Sequence, residues 1–159
     1  MSKEYYFACL IGAGIVLLAG VIFFIIKAIR NKPLPMDEME GHDFEYYCAE
    51  LLKKHGFIDV EVTRGSGDFG ADILAEKDGI SYAIQCKCYE KPIGVKAVQE
   101  IYAGRDYYDC MVGVVMTNQY FTQPAMELAE KLKIVLWDRG YVDAMEEEEV
   151  KEKRLKRLP

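Results

Sequence analysis

The stretch GSGDFGADILAEKDGISYAIQCKC, residues 65–88, predicts two β-strands joined by a two-residue turn. Asp78 and Gly79 form this turn, because both central positions of a type I′ turn need positive φ. Counting outward from the turn pairs Asp72 with Gln85 across the hairpin, and directly opposed side chains share a face. The hairpin therefore brings a carboxylate and a carboxamide together at its open end.

Lys87 lies two residues beyond Gln85, so strand alternation places it on the same face. The other face of this strand carries residues suited to a core, namely Tyr82, Ile84, Cys86 and Cys88. Charged residues on one face of a sheet are usually only solvated. Here, however, Gln85 and Lys87 interrupt an apolar run and lie opposite Asp72. We therefore treat these three residues as a candidate site on a polar face, where substitution should cost little stability.

Asp72 followed by Gln85-x-Lys87 resembles the metal-binding signature of the PD-(D/E)xK nuclease superfamily, in the variant with Gln as the second ligand. The stretches GHDFEYYCAELLKKHGF, GSGDFGADI, AIQCKCY and VKAVQEIYAGRDYY resemble the Mrr-type restriction endonuclease domain, over roughly residues 41–138. This resemblance implies an α/β, restriction-endonuclease-like fold, with a mixed central sheet flanked by helices. It also implies a DNA endonuclease that uses Mg²⁺ or Mn²⁺.

The same resemblance implies a role for each site residue. Asp72 and Gln85 would be metal ligands, the backbone carbonyl of Cys86 a third, and Lys87 would stabilise charge or position the water. Mg²⁺ prefers oxygen ligands and retains bound waters, so such a set suffices. Glu45 matches an additional acidic residue that reaches the metal, although a purely structural role near a helix start remains open. Cleavage of both strands would take a homodimer or two successive nicks.

Hydrophobic periodicity predicts the remaining elements and their order. Helices are expected over 43–55, 95–108 and 122–133, the last with Thr122 as its N-cap. Strands are expected over 57–64, 71–77, 111–117 and 134–137, besides the second hairpin strand. The last two strands fit a right-handed parallel crossover. On the second helix, Gln99 and Arg105 can face DNA or water, and water is the simpler expectation.

Gly65-x-Gly67-x-x-Gly70 nominally matches a phosphate-binding glycine motif. The dinucleotide version needs a helix next, whereas a strand follows here. A kinase glycine loop is excluded because the chain is too short and lacks the catalytic-loop motif. We expect these glycines to permit a sharp turn that brings Asp68 and Asp72 near the site. Asp68 can equally cap that turn through its own backbone, which is the preferred interpretation of the two.

Residues 5–26 contain no charged side chain and would span about 33 Å as a helix, enough to cross a membrane. The run is too long for a signal peptide, and no cleavage site follows it. Lys27, Arg30 and Lys32 come next, which places the C-terminal side in the cytoplasm. The sequence thus predicts a single-pass protein of the cell membrane with a linker over 27–40 and a charged tail or helix over 139–159.

The 159-residue chain has a net charge of −6, which counts against DNA binding by bulk electrostatics. A local basic patch and bound divalent cations can compensate. The five cysteines show no disulfide spacing and suggest free thiols. Cys86-x-Cys88 lacks the second ligand pair that a zinc site needs. The other function class is a non-catalytic DNA-binding or scaffolding module, which would not show Mg²⁺-dependent cleavage that requires Asp72.

Overall fold

The computed structural model describes residues 17–18, 20–22, 36–63 and 69–155. Residues from Met36 onward form one compact unit, and residues 1–35 belong to another. Most of the predicted transmembrane helix over 5–26 lies outside the described residues, as do Asp68, Gly65 and Gly67. Within the described ranges, no helix is both long and apolar enough to cross a membrane.

The compact unit is built on a five-stranded mixed sheet. Its strands are β1 (Ile58–Val62), β2 (Ile73–Lys77), β3 (Ile80–Lys87), β4 (Val112–Thr117) and β5 (Val135–Trp137). They lie side by side in chain order; β1 to β3 pair antiparallel, whereas β4 pairs parallel with both β3 and β5. The helices are α1 (Gly41–Lys54), α2 (Val95–Tyr107), α3 (Gln123–Leu132) and α4 (Arg139–Leu155). The predicted mixed sheet flanked by helices is confirmed.

The β2–β3 hairpin has the predicted register. Asp78 and Gly79 both have positive φ, 54° and 76°, as the two-residue turn requires. The pairs run from Lys77 opposite Ile80 to Ile73 opposite Ile84. The backbone of Asp72 extends this pairing, because its N–H donates to the carbonyl of Ile84 at 2.8 Å. The turn chemistry alone thus fixes where Asp72 lies along β3.

Helices cover both faces of the sheet. Helices α1 and α4 pack on one face, against Ile73, Ile84 and Met116. Helices α2 and α3 pack on the other, against Ala83 and Val115. A strand buried on both faces is typical of parallel connections, in which the crossover helices lie over the sheet. The face that carries Gln85 is therefore part of the interior.

Helix α4 belongs partly to this core. Val142 and Met145 are buried against the α1 face of the sheet. The Tyr47 hydroxyl of α1 donates to Glu146, and Lys54 lies 3.1 Å from Glu149. The segment expected to be a charged tail or solvated helix thus contributes apolar side chains to the core, which extends beyond residue 138.

Arg139 ties the start of α4 to the segment before α1. Its guanidinium donates to both carboxylate oxygens of Asp37, at 2.7 and 2.8 Å. Asn118 donates to the same carboxylate at 3.2 Å and also hydrogen-bonds both backbone groups of Tyr89. The hydrogen bond from Arg139 lowers the pKa of Asp37, although burial acts in the opposite direction.

Asp37→Asn should lower the free energy of unfolding by at most about 1 kcal/mol, since both partners are partly solvated. The folded-state pKa of Asp37 is below its ordinary value of 3.8, so the stabilisation is present above that pH and is lost as pH falls through the lowered pKa. Urea unfolding at several pH values should show the two proteins converge in acid. Glu38→Gln, on the neighbouring exposed carboxylate, is the control; a constant difference at every pH would contradict the assignment.

Helix α2 approaches the turn before β2 by direct backbone contact. Gly70 has φ of +93°, and a Cβ there would lie 2.3 Å from the carbonyl oxygen of Glu100. A Cβ on Gly104 would lie 2.8 Å from the carbonyl group of Gly70. Only glycine at both positions permits this approach, because backbone atoms cannot move aside as a flexible side chain can. The contact holds α2 against Gly70, which lies two residues before Asp72 in the sequence.

Gly104→Ala should destabilise the protein by about 1–3 kcal/mol, because the added methyl group overpacks a backbone contact. Alanine favours a helix over glycine by about 1 kcal/mol, and the clash outweighs that gain. Thermal unfolding measures the difference. Gly41→Ala is the matched control, because its Cβ would meet nothing within 4 Å. Equal stability of the Gly104 variant and the parent would refute the close contact.

Candidate active site

The open end of the hairpin borders a cavity of about 330 Å³. The residues around it that bear on chemistry are Glu45, Asp72, Gln85, Cys86, Lys87 and Glu100. The structure therefore brings together the four predicted side chains of the site. Glu45 lies on α1, Asp72 directly precedes β2, and Gln85 and Lys87 lie at the end of β3. Glu100 adds a side chain from α2 to the same cavity.

Asp72 and Gln85 are joined by a hydrogen bond. Oδ2 of Asp72 accepts from the side-chain amide of Gln85 and, at 2.7 Å, from the backbone N–H of Cys86. Asp72 is 7% exposed and Gln85 only 3%. The expectation of an open polar face is wrong at these two residues, because α2 covers that side of the sheet. The buried carboxylate is held rigidly by two donors from β3.

Lys87 is on the same side of β3 and lies against α2. Its Nζ is 2.8 Å from Oε2 of Glu100, and the side chain is 18% exposed. Burial pulls the pKa of Lys87 down, but the close contact and charge of Glu100, together with the charge of Asp72, outweigh it and raise the pKa overall. Lys87 is therefore an ammonium ion near neutral pH.

Glu100 is the cavity residue that the sequence analysis missed. It lies on α2 beside the buried stripe of Ala97, Ile101 and Gly104. A helix that follows β3 and leads to the parallel strand β4 begins near the end of β3. The sequence could have indicated Glu100 through its position, because an acidic residue in the early turns of such a helix, next to the apolar stripe, lies near the end of β3.

Glu45 faces the cavity from α1. The helix begins at Gly41, two residues earlier than predicted, so Asp43 is the acidic residue of the first turn. Stabilisation by the helix N-terminus falls off within that first turn, and it therefore applies more to Asp43 than to Glu45. Oε2 of Glu45 is 2.9 Å from Nδ1 of His42, and the Glu45 side chain is 19% exposed. Glu45 is thus available to the cavity as a partly buried carboxylate.

The two thiols near the site are turned toward the core. Hydrogen bonding with Cys48, then burial, raises the pKa of Cys86. The Cys88 thiol donates to the carbonyls of Met36 and Met39, at 3.5 and 3.3 Å. Neutral thiols in such surroundings act as packing groups. Cys86 therefore borders the cavity while its thiol packs with Cys48.

The oxygen donors of the cavity fit Mg²⁺ or Mn²⁺. They include the carboxylates of Asp72 and Glu45 and the carboxamide of Gln85, and Cys86 also lines the cavity. Among the described side chains, no cluster of three or more His, Cys, Asp or Glu residues is arranged to hold a metal ion. Mg²⁺ does not need such a cage, because it keeps several waters and binds through one or two carboxylates. The donor set suits a hydrated, oxygen-bound cation.

The fold is a mixed sheet flanked by helices, with Asp72 and Gln85-x-Lys87 at the open end of a hairpin. This combination places the protein in the restriction-endonuclease-like class. Residues 36–145 match the Mrr_cat family, described as "Restriction endonuclease". This match covers more than half of the chain, and the chain therefore belongs to this restriction endonuclease family. The predicted family is confirmed.

Solved structures share the fold. The crystal structure of a protein of unknown function, AF1548, is 27% identical, with a TM-score of 0.52 over 61% of this chain and 57% of that one. The MspJI restriction endonuclease in complex with a 27-mer oligonucleotide is 17% identical, with a TM-score of 0.53 over 80% of this chain and 30% of that one. The present chain thus spans less than two thirds of either structure. Among curated proteins there is no significant match.

Proposed function

We propose that this protein is a Mg²⁺-dependent DNA endonuclease of the Mrr type, anchored in the cell membrane by one span with its nuclease domain in the cytoplasm. The observation that carries the catalytic proposal is the convergence of Asp72, Gln85 and Lys87 on one cavity in a domain of the restriction endonuclease family. Mn²⁺ is expected to replace Mg²⁺, because both accept oxygen ligands.

Hydrolysis of a phosphodiester needs a nucleophilic water and neutralisation of charge on the phosphate. A bound divalent cation supplies Lewis acidity and orients a water. Asp72 would hold the cation through its carboxylate, with the Cys86 carbonyl and Glu45 as further donors. Lys87, kept as an ammonium ion, would stabilise the negative charge that develops on the phosphate oxygens.

Gln85 needs one rearrangement to serve as a ligand. Its side-chain nitrogen donates to Asp72 in the structure. A half-turn of the carboxamide exchanges nitrogen and oxygen without changing the shape of the side chain. This motion would present Oε1 beside the Asp72 carboxylate and replace a donor by an acceptor, as a cation requires.

Aromatic side chains near the cavity support a DNA partner despite the acidic net charge. Tyr89 borders the cavity and is exposed. Phe69 and Tyr107, also exposed, stack with their ring centroids 3.9 Å apart beside Gly70. Aromatic rings bind unpaired bases by stacking, a contact that adds to the charge contacts made with the DNA backbone. The oligonucleotide in the similar MspJI structure is in line with this proposal.

The direct test is incubation of the purified full chain with methylated and unmethylated supercoiled plasmids. We expect nicked or linear products with Mg²⁺ and none with excess chelator. Binding of DNA without cleavage under every condition would instead support the non-catalytic DNA-binding or scaffolding module. The intact Asp72, Gln85 and Lys87 argue against that module, and the net charge of −6 leaves it open.

Two further parts of the proposal have separate tests. The charge-free run over 5–26, followed by three cationic residues, supports a membrane anchor. A C-terminal reporter active only outside the cytoplasm, or a chain extracted without detergent, would refute it.

A single site cuts a single strand, which supports a homodimer. Concerted double-strand cleavage by a strict monomer would contradict that expectation.

A further inference from the structure

Glu100 is a carboxylate in the cavity to which the mechanism above assigns no task. We propose that Glu100 is a positioning residue that holds the Lys87 ammonium away from Asp72, so that Asp72 stays available to the metal ion. This inference rests on the proposed function, because it concerns the same site. It concerns Glu100 rather than the metal ligands, and Mg²⁺ affinity rather than DNA cleavage decides it.

The contact itself is close and sheltered. Oε2 of Glu100 is buried and lies 2.8 Å from Nζ of Lys87, although no donor meets this oxygen in good hydrogen-bond geometry. Lys96 approaches the other oxygen at 3.6 Å, and its own side chain is 87% exposed. Among the described residues, the strong partner of Glu100 is therefore Lys87, and the two side chains form a short ion pair.

The carboxylate is carried by a rigid element. The backbone of Glu100 touches Gly70, and Gly104 one turn later touches Gly70 again. Helix α2 cannot withdraw from the turn before Asp72 without breaking these contacts. Lys87, in contrast, has a flexible four-carbon stem. The position of the ammonium is consequently set by Glu100, and not the reverse.

Asp72 is the competing partner for this ammonium. Asp72 and Lys87 line the same cavity, and the negative charge of Asp72 contributes to the raised pKa of Lys87. Without Glu100, the lysine stem is free to turn its charge toward Asp72, where an ammonium would neutralise the carboxylate that the metal needs. Two opposite charges in a partly buried site attract strongly. Glu100 thus leaves Asp72 to bind the metal ion and Lys87 to stabilise the charge on the phosphate.

A double-mutant cycle on the full chain tests this inference by Mg²⁺ calorimetry, with cleavage as a second readout. Glu100→Gln keeps the shape and removes the charge. We expect about a 10- to 100-fold loss of Mg²⁺ affinity in the parent, in the range of lost supporting contacts around metal ligands. In the Lys87→Ala background, the same change should alter Mg²⁺ affinity by less than about twofold, because the competing ammonium is gone.

Two control variants make the cycle decisive. Glu100→Asp should recover part of the affinity, and Glu90→Gln, which removes an exposed charge, should match the parent. Equal losses in both backgrounds would mean that Glu100 is itself a ligand, and no loss in either would mean that it has no role; each overturns the inference. A chain that binds Mg²⁺ but does not cut DNA would contradict the proposed function alone, and the calorimetric cycle would still decide the role of Glu100.

Discussion

Asp72→Asn is expected to abolish Mg²⁺-dependent DNA cleavage and to weaken Mg²⁺ binding in parallel. Loss of supporting contacts around a metal ligand costs 10- to 100-fold, so loss of the anionic ligand should cost at least about 100-fold. The reason is local, since Asp72 is the carboxylate that two donors of β3 fix at the open end of the hairpin. Plasmid cleavage and calorimetric Mg²⁺ titration on the same preparation measure both effects.

The Asp72→Asn variant should nevertheless remain folded. The asparagine oxygen can still accept from the Cys86 N–H, and a half-turn of Gln85 lets its oxygen accept from the new amide group. Because the hydrogen bonds are replaced, the stability should change by no more than about 1 kcal/mol. Asp109→Asn is the control, because Asp109 is exposed and asparagine tolerates its positive φ of 52°. Full cleavage by the Asp72 variant would remove the hairpin site from the mechanism.

Lys87→Ala should reduce cleavage by about 10²- to 10³-fold while Mg²⁺ affinity stays near that of the parent. The ammonium is not a ligand, so its loss affects only the charge that develops on the phosphate. The expected separation of binding from cleavage distinguishes Lys87 from Asp72. Calorimetry and single-turnover cleavage of a labelled duplex measure the two quantities.

Lys91→Ala is the matched control for Lys87, because it removes one exposed positive charge close in sequence. It should leave both quantities unchanged within about twofold. If it lowers cleavage as much as Lys87→Ala, general attraction of DNA explains the effect, and the assigned role of Lys87 fails.

The hairpin could be predicted from the sequence because its determinants are local. The turn at Asp78 and Gly79 requires positive φ at both residues, and strand alternation then fixes Asp72, Gln85 and Lys87 relative to one another. The mixed sheet followed from the order of periodic and apolar segments. These features depend on neighbours in the chain, so no knowledge of packing was needed.

The burial of the site could not be predicted in the same way. It depends on α2, which contacts Gly70 and the face of β3 that carries Gln85. The contribution of α4 to the core could not be predicted for a similar reason. Its many charged residues predict solvation, whereas Val142 is fully buried against other elements. The burial of the site and the position of α4 both depend on contacts between segments far apart in the chain, and such contacts cannot be predicted from a single sequence.

Anomalous diffraction from crystals grown with Mn²⁺ tests the central claim most directly. We expect one peak in the hairpin cavity, at ligand distance from the Asp72 carboxylate, the Gln85 side-chain oxygen and the Cys86 carbonyl, with Lys87 still paired to Glu100. A peak bound elsewhere, or no peak in the cavity at Mn²⁺ concentrations that support cleavage, would contradict the assignment of this site.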